Sequence, residues 1–242
     1  MVEGERKLTP KGTVNSVKLD DNLSRAKARI IELAWCNQWD FFVTLTIDAK
    51  KYDRHNLKEF RSDLSQWLRD YSKKIGSKID YLLIPEKHKD GAWHMHGFFK
   101  GLPVTELRSF TLDEKLPYYL RSKIESNQVQ FDWVPYREKF GYINAELIKN
   151  HKAAAKYVLK YITKDMSRSV SEVNMHLYYC SKGLNRAVTI AKGTMSANIV
   201  PKYDFQNEYV AIMWLENHVP LDDVIIPHEP TRINLKLREE IS

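Results

Sequence analysis

The sequence of 242 residues has little cysteine and no long hydrophobic run. Its two cysteines, Cys36 and Cys180, lie far apart, which excludes a disulfide scaffold and a four-cysteine zinc module and favours a reducing compartment. No apolar stretch approaches the roughly 20 residues that a membrane-spanning helix needs, and the first dozen residues are charged rather than signal-like. We therefore expect a cytoplasmic protein with no membrane partner.

The charges are distributed unevenly along the chain. The 38 basic and 31 acidic residues give a net charge of +7. Residues 204–242 hold eight acidic and three basic residues, a net −5, which leaves +12 for residues 1–203. A body this basic favours a polyanionic partner such as nucleic acid, although charge that only keeps the protein soluble is the alternative. We predict a main domain over 1–203 and an acidic extension over 204–242 that packs on the body or on a partner.

Hydrophobic periodicity predicts a mixture of helices and strands, with no internal repeat and no low-complexity linker. Helical spacing predicts helices over 22–36, 57–75, 116–126 and 151–164. Runs of β-branched and aromatic residues predict strands over 41–47, 80–85, 93–99, 129–135, 141–145 and 175–180. This order predicts an α+β fold, a central antiparallel sheet with helices gathered on one face.

A pair of histidines in the predicted strand 93–99 is the first candidate site. His94 and His96 point to the same face because side chains alternate along a strand, and two neighbouring imidazoles can bind a metal. If the preceding strand forms a hairpin with this one, Glu86 lies beside them, and His88 is the competing third ligand. A carboxylate suits Mg²⁺ or Mn²⁺, with positions left open for phosphate oxygens. The alternative is a structural histidine pair.

The predicted helix 151–164 carries the second candidate site. Tyr157 and Tyr161 are four residues apart and share one face, and Lys160 and Lys164 form a second pair. A tyrosine near a metal-bound phosphate can attack it and form a covalent phosphotyrosine. The alternative is an ordinary amphipathic helix whose tyrosines cover the sheet.

Contacts to single-stranded DNA require cations for phosphates and aromatic rings for bases. Residues 118–139 mix both types, and the first helix is also basic; the candidates are Tyr136, Arg137 and Lys139, with Arg25 and Arg29 on the helix. Core aromatics with solvated charges are the alternative for the stretch.

Three motifs in order resemble those of the HUH endonucleases, particularly the two-tyrosine replication initiators of rolling-circle phages and plasmids. They are residues 42–46 (FVTLT), 94–97 (HMHG) and 157–164 (YVLKYITK). The resemblance covers about residues 22–191. It implies a ferredoxin-like or RRM-like sheet with a metal site at its centre and the tyrosine helix beside it.

The resemblance also assigns roles to the candidate residues. His94 and His96 would bind the metal with Glu86, Tyr157 and Tyr161 would be nucleophiles, and Lys160 and Lys164 would hold the phosphate or assist proton transfer. The implied activity is nicking of single-stranded or hairpin origin DNA through a 5′-phosphotyrosine, which starts rolling-circle replication in a bacterial host.

Other readings of the same motifs stay open. A transposase or a conjugative relaxase would use the same site, and a DNA-binding regulator would use the same scaffold without catalysis. The chain has no Gly-rich loop followed by Lys-Ser/Thr, so we expect the host to supply the helicase as well as the DNA polymerase.

Overall fold

The computed structural model describes residues 16–151, 153–155, 157–158, 176–189, 191–203, 205–206, 211–213, 215 and 219–228. The chain divides into two compact units, Met1–Asn185 and Arg186–Ser242, and the predicted acidic extension falls within the second. Lys160, Tyr161 and Lys164 lie outside the described residues.

The first unit is built on one antiparallel sheet. Its elements are α1 (Ser16–Cys36), β1 (Phe41–Ile47), α2 (Leu57–Ile75), β2 (Asp80–Lys87), β3 (Trp93–Lys100), β4 (Leu107–Ser109), α3 (Tyr118–Glu125), β5 (Gln130–Trp133), α4 (Val134–Lys139), β6 (Gly141–Leu147) and β7 (Tyr179–Cys180). A short 3₁₀ turn, Val104–Glu106, precedes β4. The strands lie in the order β4-β5-β6-β1-β3-β2-β7, and the prediction of an α+β fold is confirmed.

The second unit contains two small antiparallel pairs. Strand β8 (Gly193–Met195) pairs with β11 (Ile225–Pro227), and β9 (Phe205–Gln206) pairs with β10 (Ala211–Ile212). A short helix, α5 (Leu221–Val224), leads into β11.

Local sequence signals explain why α2 begins and ends where it does. The side chain of Asn56 caps its first turn by accepting a hydrogen bond from the backbone N–H of Glu59 at 3.2 Å. Gly76 ends it in the left-handed conformation, at φ 65°, which glycine adopts without steric cost. The apolar stripe along its inner face is buried against the sheet: Leu57, Phe60, Leu64, Leu68 and Tyr71.

Helices cover both faces of the sheet, so the prediction that they gather on one face is wrong. On one face, α2 and α4 pack on the alternate residues of β1 that begin with Phe41. On the other face, α1 and the helical residues Ala155 and Val158 pack on Leu82 and Phe98. The central strands carry apolar side chains at successive positions towards one end of the sheet, so both faces there must be covered to exclude water.

Candidate active site

The strand register brings the polar residues of β1, β2 and β3 onto one face of the sheet. His94 pairs with Thr46 on one side and with Glu86 on the other. His96, two residues on, pairs with Thr44. Directly paired residues project to the same side, so these five side chains share the face that α1 covers elsewhere.

Glu86 reaches diagonally from β2 to the second histidine. Its Oε2 lies 2.6 Å from Nε2 of His96, whose side chain is only 11% exposed. The hairpin therefore brings the carboxylate beside the two histidines, as the sequence predicts, while its role as a metal ligand stays a prediction.

Gly97 allows β2 to lie close enough for that contact. A Cβ at this position would stand 1.9 Å from the carbonyl oxygen of Leu82 on β2. The glycine that follows His96 is therefore a requirement of the hairpin packing, because any side chain would push β2 away from β3.

Two threonine hydroxyls hold the far sides of the imidazole rings. Thr44 Oγ1 lies 3.1 Å from Nδ1 of His96, and Thr46 Oγ1 lies 3.1 Å from Nδ1 of His94. When Nδ1–H donates to the hydroxyl, Nε2 keeps its lone pair and can bind a metal. The sequence motif contained both threonines but assigned them no role. The signal was available in the period of two that interleaves them with Val43 and Leu45.

His94 is held in its neutral form. Its pKa is lowered to about 4, chiefly by burial. Repulsion from the positive charge on His88, His96 and Arg54 adds to this effect, while Glu86 opposes it. A neutral imidazole at physiological pH is the form that binds a metal ion.

The turn between β2 and β3 adds two basic groups that face the site. The ring of His88 stacks on that of His94, with centroids 3.9 Å apart. Arg54 is anchored at the start of β3 because its carbonyl accepts the backbone N–H of Trp93 at 2.9 Å. Its Nη2 lies 3.6 Å from Asp90, while its buried Nε has no hydrogen-bond partner in the described part of the chain. Sequence reasoning missed Arg54, since a single arginine in a loop forms no pattern.

Tyr157 lies on the same face as the histidines. Its ring packs edge-on against Phe42 of β1, with centroids 5.1 Å apart, and 43% of the residue is exposed. Phe42 is two residues from Thr44, a step of about 7 Å along the strand. The next residue, Val158, is 1% exposed in the core, as the helical spacing predicted. The helix therefore buries its apolar side and presents Tyr157 beside the polar face.

The donor set fits a hard divalent ion in chemistry but not yet in spacing. Within the described residues, no group of three or more His, Cys, Asp or Glu side chains is gathered in a ready metal-binding geometry. Glu86 and His96 are paired directly at 2.6 Å, whereas two ligands of one Mg²⁺ ion stand about 3 Å apart. A small rotation of the partly exposed Glu86 side chain would open this pair, so Glu86, His94 and His96 are the residues that would hold a metal.

Asn144 extends the polar face one strand further. It pairs with Thr44 across β6 and β1 and is 8% exposed. Its Oδ1 has no hydrogen-bond partner among the described residues. Tyr142, on the same strand and face, pairs with Thr46 and is 64% exposed. Neither residue was singled out from the sequence, because β6 was read only as a strand.

Tyr136, one of the predicted DNA-contact residues, belongs to the core. It is fully buried in the first core and offers no surface to DNA, so the alternative of a core aromatic holds there. It packs inward because the short helix α4, which begins where a strand was predicted, turns it under the sheet.

The predicted DNA-contact cations keep at least part of their side chains at the surface. Arg137 binds the buried carboxylate of Asp132 at 3.0 Å and keeps 41% of its side chain exposed. Lys139 and Arg25 are exposed. Arg29 forms an ion pair with a glutamate of its own helix, so part of its charge is compensated.

The fold and the site define a class: an antiparallel α+β domain that presents two histidines, a carboxylate and a tyrosine on one sheet face. Residues 40–166 match the family described as replication-associated protein ORF2, and this range contains all three motifs. The match spans more than half of the chain, so the chain belongs to this family of replication-associated proteins. No curated protein and no solved structure matches the chain. Among the helices that the structure describes, none is long and apolar enough to cross a bilayer.

Proposed function

We propose that this protein is a metal-dependent, sequence-specific single-strand DNA endonuclease and strand transferase that nicks a replication origin through a 5′-phosphotyrosine. The observation that carries the proposal is the shared face of Tyr157 and the Glu86–His96 pair with His94. A protein that only bound DNA would need neither a ligand set nor an exposed tyrosine beside it. Membership in the replication-associated family favours initiation of rolling-circle replication over transposition or conjugative transfer.

The reaction exchanges one phosphoester bond for another. The phenol oxygen of Tyr157 attacks the phosphorus, the bond from phosphorus to the 3′ oxygen breaks, and the 3′ end leaves as a hydroxyl. The phenol loses one proton to a base and the departing oxygen gains one, so no water is consumed. The 5′ end stays on the protein and can later be rejoined.

The residues of the site divide this work. A bound Mg²⁺ or Mn²⁺ would neutralise charge on the phosphate oxygens and favour ionisation of a phenol, whose ordinary pKa is about 10. Thr44 and Thr46 orient the imidazoles. Arg54 directs a cation at the site and would hold the phosphate. For Tyr161, Lys160 and Lys164 we propose a second nucleophile and two phosphate-binding cations.

A cleavage assay tests the proposal. End-labelled single-stranded oligonucleotides that contain hairpins are incubated with the protein and Mn²⁺ or EDTA. We expect metal-dependent cleavage by the wild type and none by the double variant Tyr157→Phe/Tyr161→Phe, with DNA binding nearly unchanged. Tyr142→Phe is the matched control, since it removes an exposed hydroxyl from the same face. Loss of binding in the double variant, or equal cleavage in EDTA, would contradict the assigned roles.

The proposed partners follow from this chemistry. The released 3′ hydroxyl is a primer for a host DNA polymerase, and unwinding ahead of it needs a helicase, both of which we propose the host supplies. The substrate is single-stranded or hairpin origin DNA, because a duplex hides the scissile strand within paired bases.

A further inference from the structure

A second face of the first unit carries a basic cleft that the nicking chemistry does not use. The cleft has a volume of about 1040 Å³ and lies between α2 and the segment that contains β7. Its floor includes Leu83 and Met95, which belong to the core on the α2 side of the sheet. His94 and His96 project from the opposite face, so the cleft is separate from the candidate active site.

The walls of the cleft are positively charged. Five cations line it: Arg61, Arg69, Lys73, Lys78 and Lys182. No carboxylate from the described part of the chain lines it. Lys78 pairs with Asp80 at 2.7 Å, so part of its charge is compensated nearby. Arg69 bonds only to neutral groups of its own helix, the side chains of Ser65 and Gln66, in the contacts that the structure gives.

The sequence of α2 builds one of these walls. Arg61, Ser65, Arg69 and Lys73 follow each other at four-residue steps and therefore form one stripe along the helix. The small side chain of Ser65 leaves room between the two arginines. The stripe lies beside the buried apolar stripe of the same helix, so the cations border an apolar floor.

The facing wall supplies aromatic rings. The guanidinium of Arg61 lies over the ring of Tyr179, 5.1 Å from its centroid. Tyr81 also lines the cleft, and its hydroxyl lies 3.5 Å from that of Ser65. Cations for phosphates beside aromatic rings for bases form the combination that binds single strands.

We propose that this cleft binds single-stranded DNA as a second contact region, separate from the nicking site. The inference rests on the proposed function for the identity of its ligand. A duplex keeps its bases paired inside, so only an unpaired strand can place bases on Tyr179 and the apolar floor while its phosphates contact the arginines. The cleft would hold a strand that flanks the cleavage site and would strengthen binding without taking part in the chemistry.

The test uses the full chain in EDTA, where no cleavage occurs, so it reads binding independently of the nicking activity. Fluorescence anisotropy with a labelled thirty-residue oligo(dT) is recorded over a range of salt concentrations. The cleft variant is Arg61→Gln/Arg69→Gln. The matched control is Lys58→Gln/Lys74→Gln, which removes the same charge from the same helix outside the cleft.

The cleft variant should make the plot of log affinity against log salt shallower by about 1.4, since each lost phosphate contact on a single strand contributes about 0.7. The control should keep the wild-type slope. An equal change in both variants would overturn the proposal, because it would show diffuse attraction to the whole surface. Displacement of oligo(dT) by a duplex of the same length, as effective as by the single strand, would also overturn it.

Photocrosslinking places the strand directly. With 5-iododeoxyuridine in the oligonucleotide and EDTA in the buffer, we expect adducts on Tyr179 or Tyr81 after digestion and mass spectrometry. Adducts confined to the opposite face, at Tyr142 or Tyr157, would contradict the second region. Failure of the nicking proposal would instead appear as normal crosslinks here with no metal-dependent cleavage.

Discussion

At the residue scale, the site depends on groups that hold the histidines in place rather than on the histidines alone. Thr44 and Thr46 each lie 3.1 Å from one imidazole Nδ1 and so determine which nitrogen is free to bind a metal. The sequence identified His94, His96 and Glu86 because their spacing has a known chemistry. It could not identify the threonines as their partners, since that requires the strand register.

Replacing both threonines with valine should weaken metal binding. The shape is nearly kept, but the imidazole nitrogens lose their hydrogen-bond partners. We expect Mn²⁺ affinity, measured by calorimetry, to fall about 10- to 100-fold. Thr105→Val, at an exposed position away from the site, should bind Mn²⁺ as the wild type does. Unchanged affinity in Thr44→Val/Thr46→Val would show that the hydroxyls do not support the site.

The lowered pKa of His94 predicts a pH dependence of stability. With its pKa near 4 in the folded state and 6.5 in the unfolded chain, the imidazole is neutral in both states above about pH 6.5. As the pH falls towards 4, the unfolded chain takes up a proton that the folded protein refuses, so stability declines over this window. Urea unfolding in EDTA should show this decline in the wild type, and His94→Asn should reduce it. An equal decline in both proteins would assign it to other groups.

At the element scale, the strength of the local pattern decided how well each element was predicted. Helix α2 and strand β1 were predicted to the residue, because a capping asparagine, a closing glycine and an unbroken alternation mark their ends. Helix α4 was missed. It is six residues long and follows β5 without a break, so its residues were read as the end of a strand. The apolar residues on both sides of the central strands were visible in the sequence, but their consequence, helices on both faces, was not drawn.

The β2–β3 hairpin makes a sharp prediction at this scale. Gly97→Ala would place a Cβ 1.9 Å from the carbonyl oxygen of Leu82, and the strands would have to separate. We expect a loss of about 1–3 kcal/mol in the free energy of unfolding, measured with urea, together with weaker metal binding. Gly76→Ala is the matched control, because open space surrounds that position and only the left-handed backbone is strained. It should lose about 1–2 kcal/mol with metal binding intact. Normal metal binding by Gly97→Ala would separate the hairpin spacing from the site.

At the scale of the whole molecule, the two faces of one sheet carry different functions in this account. One face joins the histidines, Glu86 and Tyr157 for chemistry, and the other joins α2 to β7 around a basic cleft. The excess of positive charge over residues 1–203 predicted a polyanionic partner but could not say where it binds. That position depends on which face of α2 turns outward, and the fold decides it.

The central claim is that a tyrosine of this protein becomes covalently attached to DNA. Intact-protein mass spectrometry after incubation with a pool of single-stranded oligonucleotides tests it most directly, with Mn²⁺ in one sample and EDTA in the other. The account predicts an added mass of an oligonucleotide fragment only with Mn²⁺, mapped by digestion to Tyr157 or Tyr161. Bound DNA and bound Mn²⁺ without any adduct, including on hairpin substrates, would contradict it.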